Sequence, residues 1–233
     1  MLETNMEHVS ENQRQFKLVS PKILWVTGIL LLVLAEPLLY GNFFNDKNQY
    51  PDTIRDVVYP ELKPLQAFKL VDHKNHMLGL EHLAGGWTFL FFGYTQCPDI
   101  CPATLSQLTR LSQSIHDNAA GNIRPNFLLV SVDPERDKVN VLRDYINYFD
   151  DSFIAATGDI KDIEAFEKQF GVTHRYGERD ASDNYAVTHS AEIFLVDPET
   201  RIVAKFTPPL SIQRVTQQYG ELVNYFQPEN KHI

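Results

Sequence analysis

The hydrophobic positions that follow residue 85 fall into two kinds of pattern. Two continuous apolar runs, Trp87–Phe92 and Phe127–Val132, have the aromatic and β-branched composition of strands that are buried on both faces. Between them, apolar residues recur at helical spacing from Pro102 onward, and a proline is well suited to open a helix because its missing N–H would be unpaired there. The later pattern predicts three more helices, which cover Val139–Phe149, Asp159–Phe170 and Ser211 to about Phe226.

Shorter apolar segments complete the predicted sheet. Phe153–Ala156 is strand-like, and two hairpins are predicted where apolar segments flank a polar turn. The paired segments are Ala67–Val71 with Met77–Leu80, and Ala191–Val196 with Ile202–Phe206. Strands that alternate with helices and end in a hairpin and a helix predict an α/β domain, in which helices flank a mixed central sheet.

A separate apolar segment lies near the N terminus. Ile23–Ala35 carries no charge, and the stretch from Ile23 to Tyr40 approaches the roughly 20 residues that a bilayer core requires. Basic residues precede this segment closely, which favours a cytoplasmic N terminus and an exported C-terminal domain. We therefore predict a cytoplasmic tail over residues 1–22, a transmembrane anchor over 23–40, a linker over 41–61 and the folded domain over 62–228.

Two kinds of targeting peptide, a cleaved signal peptide and a mitochondrial transit peptide, are alternatives to this anchor. Val33-Leu34-Ala35 resembles a small-residue cleavage site, so a cleaved signal peptide competes with a retained anchor. A mitochondrial transit peptide would be poor in acidic residues, whereas the tail carries several glutamates. The prediction is a single-pass protein of a bacterial cytoplasmic membrane whose folded domain faces the periplasm.

Composition and charge narrow the function classes. Hydrophobic residues make up 43% of the 233-residue chain and charged residues 22%, which is ordinary for a domain that buries a core. The formal net charge is −9, with no cluster of lysine and arginine. Because nucleic acids demand such clusters, a nucleic-acid partner is not expected.

The chain has two cysteines, Cys97 and Cys101, and they lie in the predicted loop between the first buried strand and the next helix. A bridge across so short a loop would stabilise the fold little, so the pair is expected to serve chemistry. A helix N terminus favours thiolate over thiol. If the segment is helical, this spacing puts both sulfurs on one face, where they could bind a soft metal ion or close a disulfide.

A metal site would need a third ligand, and His189 is the candidate. It lies just before the strand Ala191–Val196, and a loop that enters a central strand is well placed to face a loop that leaves its neighbour. Two thiolates and one imidazole suit Cu(I), and Zn(II) would also accept them. From the residues alone, a metal site and a pure redox pair both remain open.

Three motifs together resemble the Sco/SenC family. They are Thr95–Pro102 with both cysteines, Ser131–Asp137 with the sequence SVDPERD, and His189-Ser190 ahead of Leu195–Pro198. The resemblance covers roughly Leu62 to Phe226. Members of this family are thioredoxin-fold copper chaperones for the dinuclear copper centre of cytochrome c oxidase, and they carry a single N-terminal anchor.

The resemblance implies roles for individual residues. Cys97, Cys101 and His189 fall on the family's copper ligands. Asp133 falls on its acidic residue after the second central strand, where it is expected to orient the site or the partner without binding the metal. Asp99 is expected to have the same orienting role, or only to cap the following helix. Glu135 and Asp137 are interpreted as part of a loop and helix cap.

Two further features receive weaker interpretations. His73, His76 and Met77 on the first hairpin are candidates for a second copper site, although turn histidines are more often exposed. The polar stretch from His174 to Asn184 beside His189 is interpreted as a surface loop, with movement on metal binding as the alternative.

Two functions are therefore predicted from the sequence. The first is a membrane-anchored copper chaperone that delivers copper to the copper-binding subunit of cytochrome c oxidase. The alternative is a thiol–disulfide oxidoreductase that reduces the cysteines of the oxidase copper site. A peroxidase of the peroxiredoxin type is disfavoured, because such enzymes usually start from a lone peroxidatic cysteine.

Overall fold

The computed structural model describes residues 50–118 and 123–226. The strands of this part of the chain are β1 Val58–Pro64, β2 Leu70–Asp72, β3 Met77–Leu78, β4 Thr88–Gly93, β5 Asn126–Ser131, β6 Ile154–Thr157, β7 Arg175–Tyr176, β8 Val187–Thr188, β9 Ile193–Val196 and β10 Arg201–Phe206. The helices are α1 Ile100–Asn118, α2 Val139–Phe149, α3 Ile160–Phe170 and α4 Ile212–Phe226, with a short 3₁₀ turn at Leu80–His82.

Eight of these strands form one mixed sheet in the order β1-β10-β9-β4-β5-β6-β2-β3. The three central strands β4, β5 and β6 are parallel, and β9 runs antiparallel to β4. Because of these directions, the end of β4 and the start of β9 meet at the same edge of the sheet. Strands β7 and β8 form a separate two-stranded sheet.

The alternation of side chains along β4 divides the core into two layers. Phe89 and Phe91 point to the face that α1, α2 and α4 cover, whereas Leu90 and Phe92 point to the face that α3 covers. Successive side chains of a strand alternate between faces, so a strand buried on both sides is apolar throughout. The α/β domain with a mixed sheet and flanking helices, predicted from the sequence, is confirmed.

The helix bounds agree closely with the prediction, with one difference that matters for the site. Helix α2 has the predicted bounds, and α3 ends at Gly171, which has a φ of 71° and terminates the helix in the left-handed conformation. Helix α1 begins at Ile100 rather than at Pro102. Cys101 therefore lies in the first helical turn, where the proline that follows it costs no main-chain hydrogen bond.

The structure differs from the predicted linker, residues 41–61, in the second half of that interval. Val58–Pro64 forms the edge strand β1, which pairs with β10. Upstream of it, Ile54 is fully buried in the core. Prolines are tolerated in edge strands because their missing N–H is not needed by a second neighbour. The compact unit accordingly begins at Tyr50, ahead of the predicted start at Leu62.

The predicted cytoplasmic tail and transmembrane anchor, residues 1–22 and 23–40, lie outside the described residues. Within residues 50–118 and 123–226, no helix combines the length and apolar character that a membrane span requires.

Candidate metal centre

The cysteine loop leaves β4 and enters α1 at the edge of the sheet. Its first turn is closed by the Cys97 N–H, which donates to the Tyr94 carbonyl at 3.3 Å. The Cys101 N–H donates to the Cys97 sulfur at 3.4 Å, as expected for a residue whose main-chain N–H is free in the first turn of a helix. Both sulfurs are buried, since Cys97 is 8% exposed and Cys101 is 1% exposed.

His189 follows β8 directly and approaches the two sulfurs from a different segment of the chain. Its Nε2 lies 3.3 Å from the Cys101 sulfur, and its Nδ1 lies 2.8 Å from the Ser190 carbonyl oxygen. A carbonyl oxygen only accepts hydrogen bonds, so Nδ1 donates to it and Nε2 is the ring nitrogen that faces the sulfurs. The donor atoms of Cys97, Cys101 and His189 all lie within 4.8 Å of one another.

The two thiols differ in their acidity because they share a hydrogen bond. The Cys101 thiol donates to the Cys97 sulfur, and this bond lowers the pKa of Cys97 to about 5 although burial opposes the change. The same bond and deep burial raise the pKa of Cys101. At neutral pH the pair therefore holds one thiolate and one thiol, and a metal ion that binds both sulfurs must displace one proton.

Tight packing fixes the positions of these donors. Gly93, the last residue of β4, lies so close to Cys101 that a Cβ on the glycine would be 3.0 Å from the sulfur. The Tyr94 ring packs edge-on against the His189 ring with 5.7 Å between centroids, and its hydroxyl accepts the Val187 N–H at 3.3 Å. Tyr94 thus connects the cysteine loop to the strand that precedes His189.

Asp133, expected from the resemblance to act around the site, is fully buried. One carboxylate oxygen accepts the Tyr185 hydroxyl at 2.7 Å, and the other accepts the Arg136 Nε–H. Its contacts are therefore with the segment that leads to His189 and with an arginine of its own loop.

Asp137 holds the cysteine loop itself, a role that the sequence interpretation missed. Its carboxylate accepts the Thr95 N–H at 3.0 Å, the Thr95 hydroxyl at 2.5 Å and the Ser131 hydroxyl at 2.6 Å. Burial raises the pKa of Asp137, while these three donors act against that change. Its place in the SVDPERD motif was the available signal, but the sequence does not show that Thr95 lies next to it.

Asp99 acts through its main chain. Its carbonyl accepts the Ala103 N–H at 3.2 Å, and its own N–H bonds to the Cys97 sulfur and helps to lower the pKa of that thiol. Its side chain is exposed.

The two histidines considered for a second copper site on the first hairpin have different surroundings. His73 is buried and its Nδ1 accepts the Ala155 N–H at 3.2 Å, whereas His76 is exposed and lies 3.5 Å from the Asp72 carboxylate. Among the described residues, the one group of three or more histidine, cysteine or acidic side chains that is close enough to hold an ion is that of Cys97, Cys101 and His189. Burial of His73 has a tertiary cause, since its contact in β6, Ala155, lies 82 residues away in sequence.

The polar stretch between His174 and Asn184 is more ordered at its base than a plain surface loop. Strands β7 and β8 pair Arg175 with Thr188 and Tyr176 with Val187. At the base, the buried side chains of His174 and of Glu167 in α3 form a hydrogen bond, with 2.7 Å between Nδ1 and Oε2. The residues from Gly177 to Asn184 are exposed, as predicted.

Comparisons with known proteins agree with this arrangement. The model of the SCO1/SenC family matches residues 61–224. An SCO2-like protein of Rickettsia typhi is 29% identical over 196 residues, which is 84% of this chain and 91% of the relative.

Two solved structures of copper-bound proteins have the same fold. Arabidopsis thaliana ScoI matches with a TM-score of 0.65 and 29% identity, covering 69% of this chain and 98% of that one. Yeast Sco1 matches with a TM-score of 0.65 and 25% identity, covering 71% and 91%. With a family model that spans most of the described domain, the chain belongs to the SCO1/SenC family.

Proposed function

We propose that this protein is a copper chaperone that binds one Cu(I) ion through Cys97, Cys101 and His189. The observation that carries the proposal is the convergence of two sulfurs and one imidazole nitrogen within 4.8 Å, with Nε2 of the imidazole turned toward the sulfurs. Soft thiolates and an imidazole are ligands that Cu(I) prefers. The copper-bound structures of two relatives support the choice of metal.

The chemistry of delivery is ligand exchange without a change in oxidation state. Cu(I) entry displaces the proton that Cys101 keeps in the free protein, and that proton returns when the ion leaves. A partner's thiolates would replace Cys97, Cys101 and His189 one at a time. Cys97 is the more exposed of the two cysteines, which favours it as the ligand that a partner replaces first.

Family membership supports a proposal for the recipient and for the location. Sco family proteins are cytochrome c oxidase assembly factors. We propose the copper-binding subunit of that oxidase as the recipient, with its dinuclear copper centre as the destination. Residues 23–40 would anchor the chain in a bacterial cytoplasmic membrane, after a tail over 1–22. The residues between this anchor and the compact unit that begins at Tyr50 would form the linker, and the copper-binding domain would face the periplasm.

A thiol–disulfide oxidoreductase is the second candidate, and the unequal acidity of the two cysteines favours it. The Cys97 thiolate would attack a disulfide of the oxidase copper site and release one thiolate of the partner. Cys101 would then attack the mixed disulfide, release the second partner thiol and leave a Cys97–Cys101 disulfide. The partner gains two electrons and this chain loses two.

A Cu(I) competition titration of the reduced full chain tests the choice. We expect one tightly bound ion in the parent, loss of stoichiometric binding in Cys97→Ala and Cys101→Ala, and weaker binding in His189→Ala. His76→Ala is the matched control, because this exposed histidine lies outside the donor group and its removal leaves Cu(I) binding unchanged. Full affinity in Cys97→Ala would contradict the chaperone. Equally weak binding by the parent and His189→Ala, together with ready disulfide exchange, would favour the oxidoreductase.

A further inference from the structure

Arg136 contacts both chain segments that supply the metal donors. Its Nη1 donates to the Gln96 side-chain oxygen at 3.1 Å and to the Tyr185 carbonyl oxygen at 2.9 Å. Gln96 precedes Cys97 directly, and Tyr185 lies four residues before His189. A single guanidinium group therefore connects the cysteine loop to the segment that leads to the histidine.

Aromatic rings and a buried carboxylate hold this guanidinium in place. Its central carbon lies 3.6 Å from the centroid of the Tyr185 ring and 5.6 Å from that of Tyr94. The Arg136 Nε–H donates to the buried Asp133 carboxylate, which also accepts the Tyr185 hydroxyl. Arg136 is itself only 13% exposed, so its charge is balanced mainly by Asp133.

Resting on the copper-binding function proposed above, we propose that Arg136 is a positioning residue that sets the distance between the cysteine loop and His189 before copper arrives. The donors Cys101 and His189 are 88 residues apart in sequence, so their relative position depends on contacts between the two segments that carry them. In addition to the pairing of β4 with β9, Arg136 and Tyr94 bridge the two segments in the free protein, and preformed ligands lose less freedom when the ion binds.

The geometry requires arginine rather than a positive charge alone. The planar guanidinium donates through Nε to Asp133 and through Nη1 to Gln96 and Tyr185, while its face stacks on the Tyr185 ring. A lysine ammonium could balance Asp133, but it cannot stack as a plane or span these acceptors in one fixed orientation. Arg136→Lys therefore keeps the positive charge and removes the hydrogen bonds and the ring stacking that connect the two donor segments.

The chain offers a matched control in Arg201. This arginine also pairs with a buried aspartate four residues earlier, with 2.7 Å from Nε to the Asp197 carboxylate, and it is 19% exposed. It lies beyond the end of β9, which pairs with the start of β4, so it is at the sheet edge opposite the cysteine loop. Arg201→Lys thus weakens a similar ion pair without touching the donor segments.

The test is a Cu(I) competition titration of the reduced full chains, with thermal unfolding of the same samples and the Co²⁺ ligand-field spectrum as a probe of donor geometry. We expect Arg136→Lys to lower Cu(I) affinity about 10- to 100-fold, the range seen when groups that orient metal ligands are changed. It should also change the Co²⁺ spectrum. Arg201→Lys should lower the melting temperature while affinity and spectrum stay at the parent's values.

Gln96→Ala provides a second variant that is expected to fold, because Gln96 is exposed. The substitution removes one hydrogen-bond acceptor of Arg136. It should reduce Cu(I) affinity in the same direction, by a smaller factor. Parent-like affinity and spectrum in both Arg136→Lys and Gln96→Ala would overturn the inference, as would an equal loss of affinity in Arg201→Lys. Failure of the parent itself to bind Cu(I) would overturn the proposed function, and the inference with it.

Discussion

Gly93 leaves just enough space for the sulfur of Cys101, and Gly93→Ala is the substitution that tests this packing most directly. A Cβ at this position would meet three buried side-chain atoms: Cys101 Sγ at 3.0 Å, Phe91 Cε2 at 3.1 Å and Leu129 Cδ1 at 3.2 Å. These distances are several tenths of an ångström below ordinary van der Waals contact. All three neighbours belong to the buried core and have little room to move.

Two opposing effects set the magnitude. Alanine restricts the unfolded chain, which would stabilise the protein by about 0.4–1 kcal/mol if the site had room. Overpacking of a close-packed core costs about 1–3 kcal/mol. We therefore expect Gly93→Ala to lower the free energy of unfolding by roughly 1–2 kcal/mol. Because the added methyl group presses on the sulfur that faces His189 at 3.3 Å, Cu(I) affinity should fall as well.

Denaturant unfolding and the Cu(I) titration measure these effects. Gly86→Ala is the control, because its Cβ would meet the end of the exposed Asn126 side chain at 3.3 Å, and that side chain can move aside. We expect Gly86→Ala to be close to neutral and to leave Cu(I) binding unchanged. A Gly93→Ala protein that is as stable as the parent and binds Cu(I) equally well would refute the argument from close approach.

The remaining predictions concern proton binding. Because the Cys101 thiol donates to the Cys97 sulfur, the ultraviolet absorbance of the reduced free protein should show one thiolate forming near pH 5. Cys101→Ala should move that transition to higher pH. Absence of a thiolate at neutral pH would contradict the hydrogen bond between the two cysteines. At the base of the β7–β8 hairpin, the hydrogen bond to Glu167 raises the pKa of His174 above its ordinary 6.5. The charged imidazole therefore contributes its full stability below pH 6.5. This stability is lost as the pH rises through the pKa that His174 has in the folded protein. His174→Gln should therefore be destabilised relative to the parent by roughly 1–3 kcal/mol in mildly acidic solution, with the difference shrinking as the pH is raised; a difference that grows with pH in denaturant titrations would show that the sign is wrong.

Local patterns were sufficient to predict most of the elements. The bounds of α2 and the end of α3 at Gly171 follow from helical periodicity and a left-handed terminator, both of which act within a few residues. The buried strand β4 followed from a continuous apolar run. The edge strand β1 was missed because Pro60 and Pro64 are typical of linkers, and only its place at the sheet edge makes them compatible with a strand.

The candidate site also combines features that local sequence predicts with features that depend on the tertiary structure. The sequence by itself determined the cysteine pair, since Cys97 and Cys101 are brought together by one turn of chain at the start of α1. His189 was proposed from its place before a predicted central strand and from the family motif, but its approach to Cys101 depends on β9 lying antiparallel beside β4. Sequence periodicity carries no information on such pairings across 88 residues, so their geometry belongs to the tertiary structure.

The supporting residues were decided only by the tertiary structure. Asp137 was interpreted as a helix cap, yet it accepts two hydrogen bonds from Thr95 of the cysteine loop. Arg136 reaches both donor segments because the β5–α2 loop lies between them in space. A buried charge is tolerated only where specific partners surround it, and those partners come from segments far apart in the chain. Local sequence therefore determined which residues carry the chemistry, whereas long-range packing decided what holds them in position.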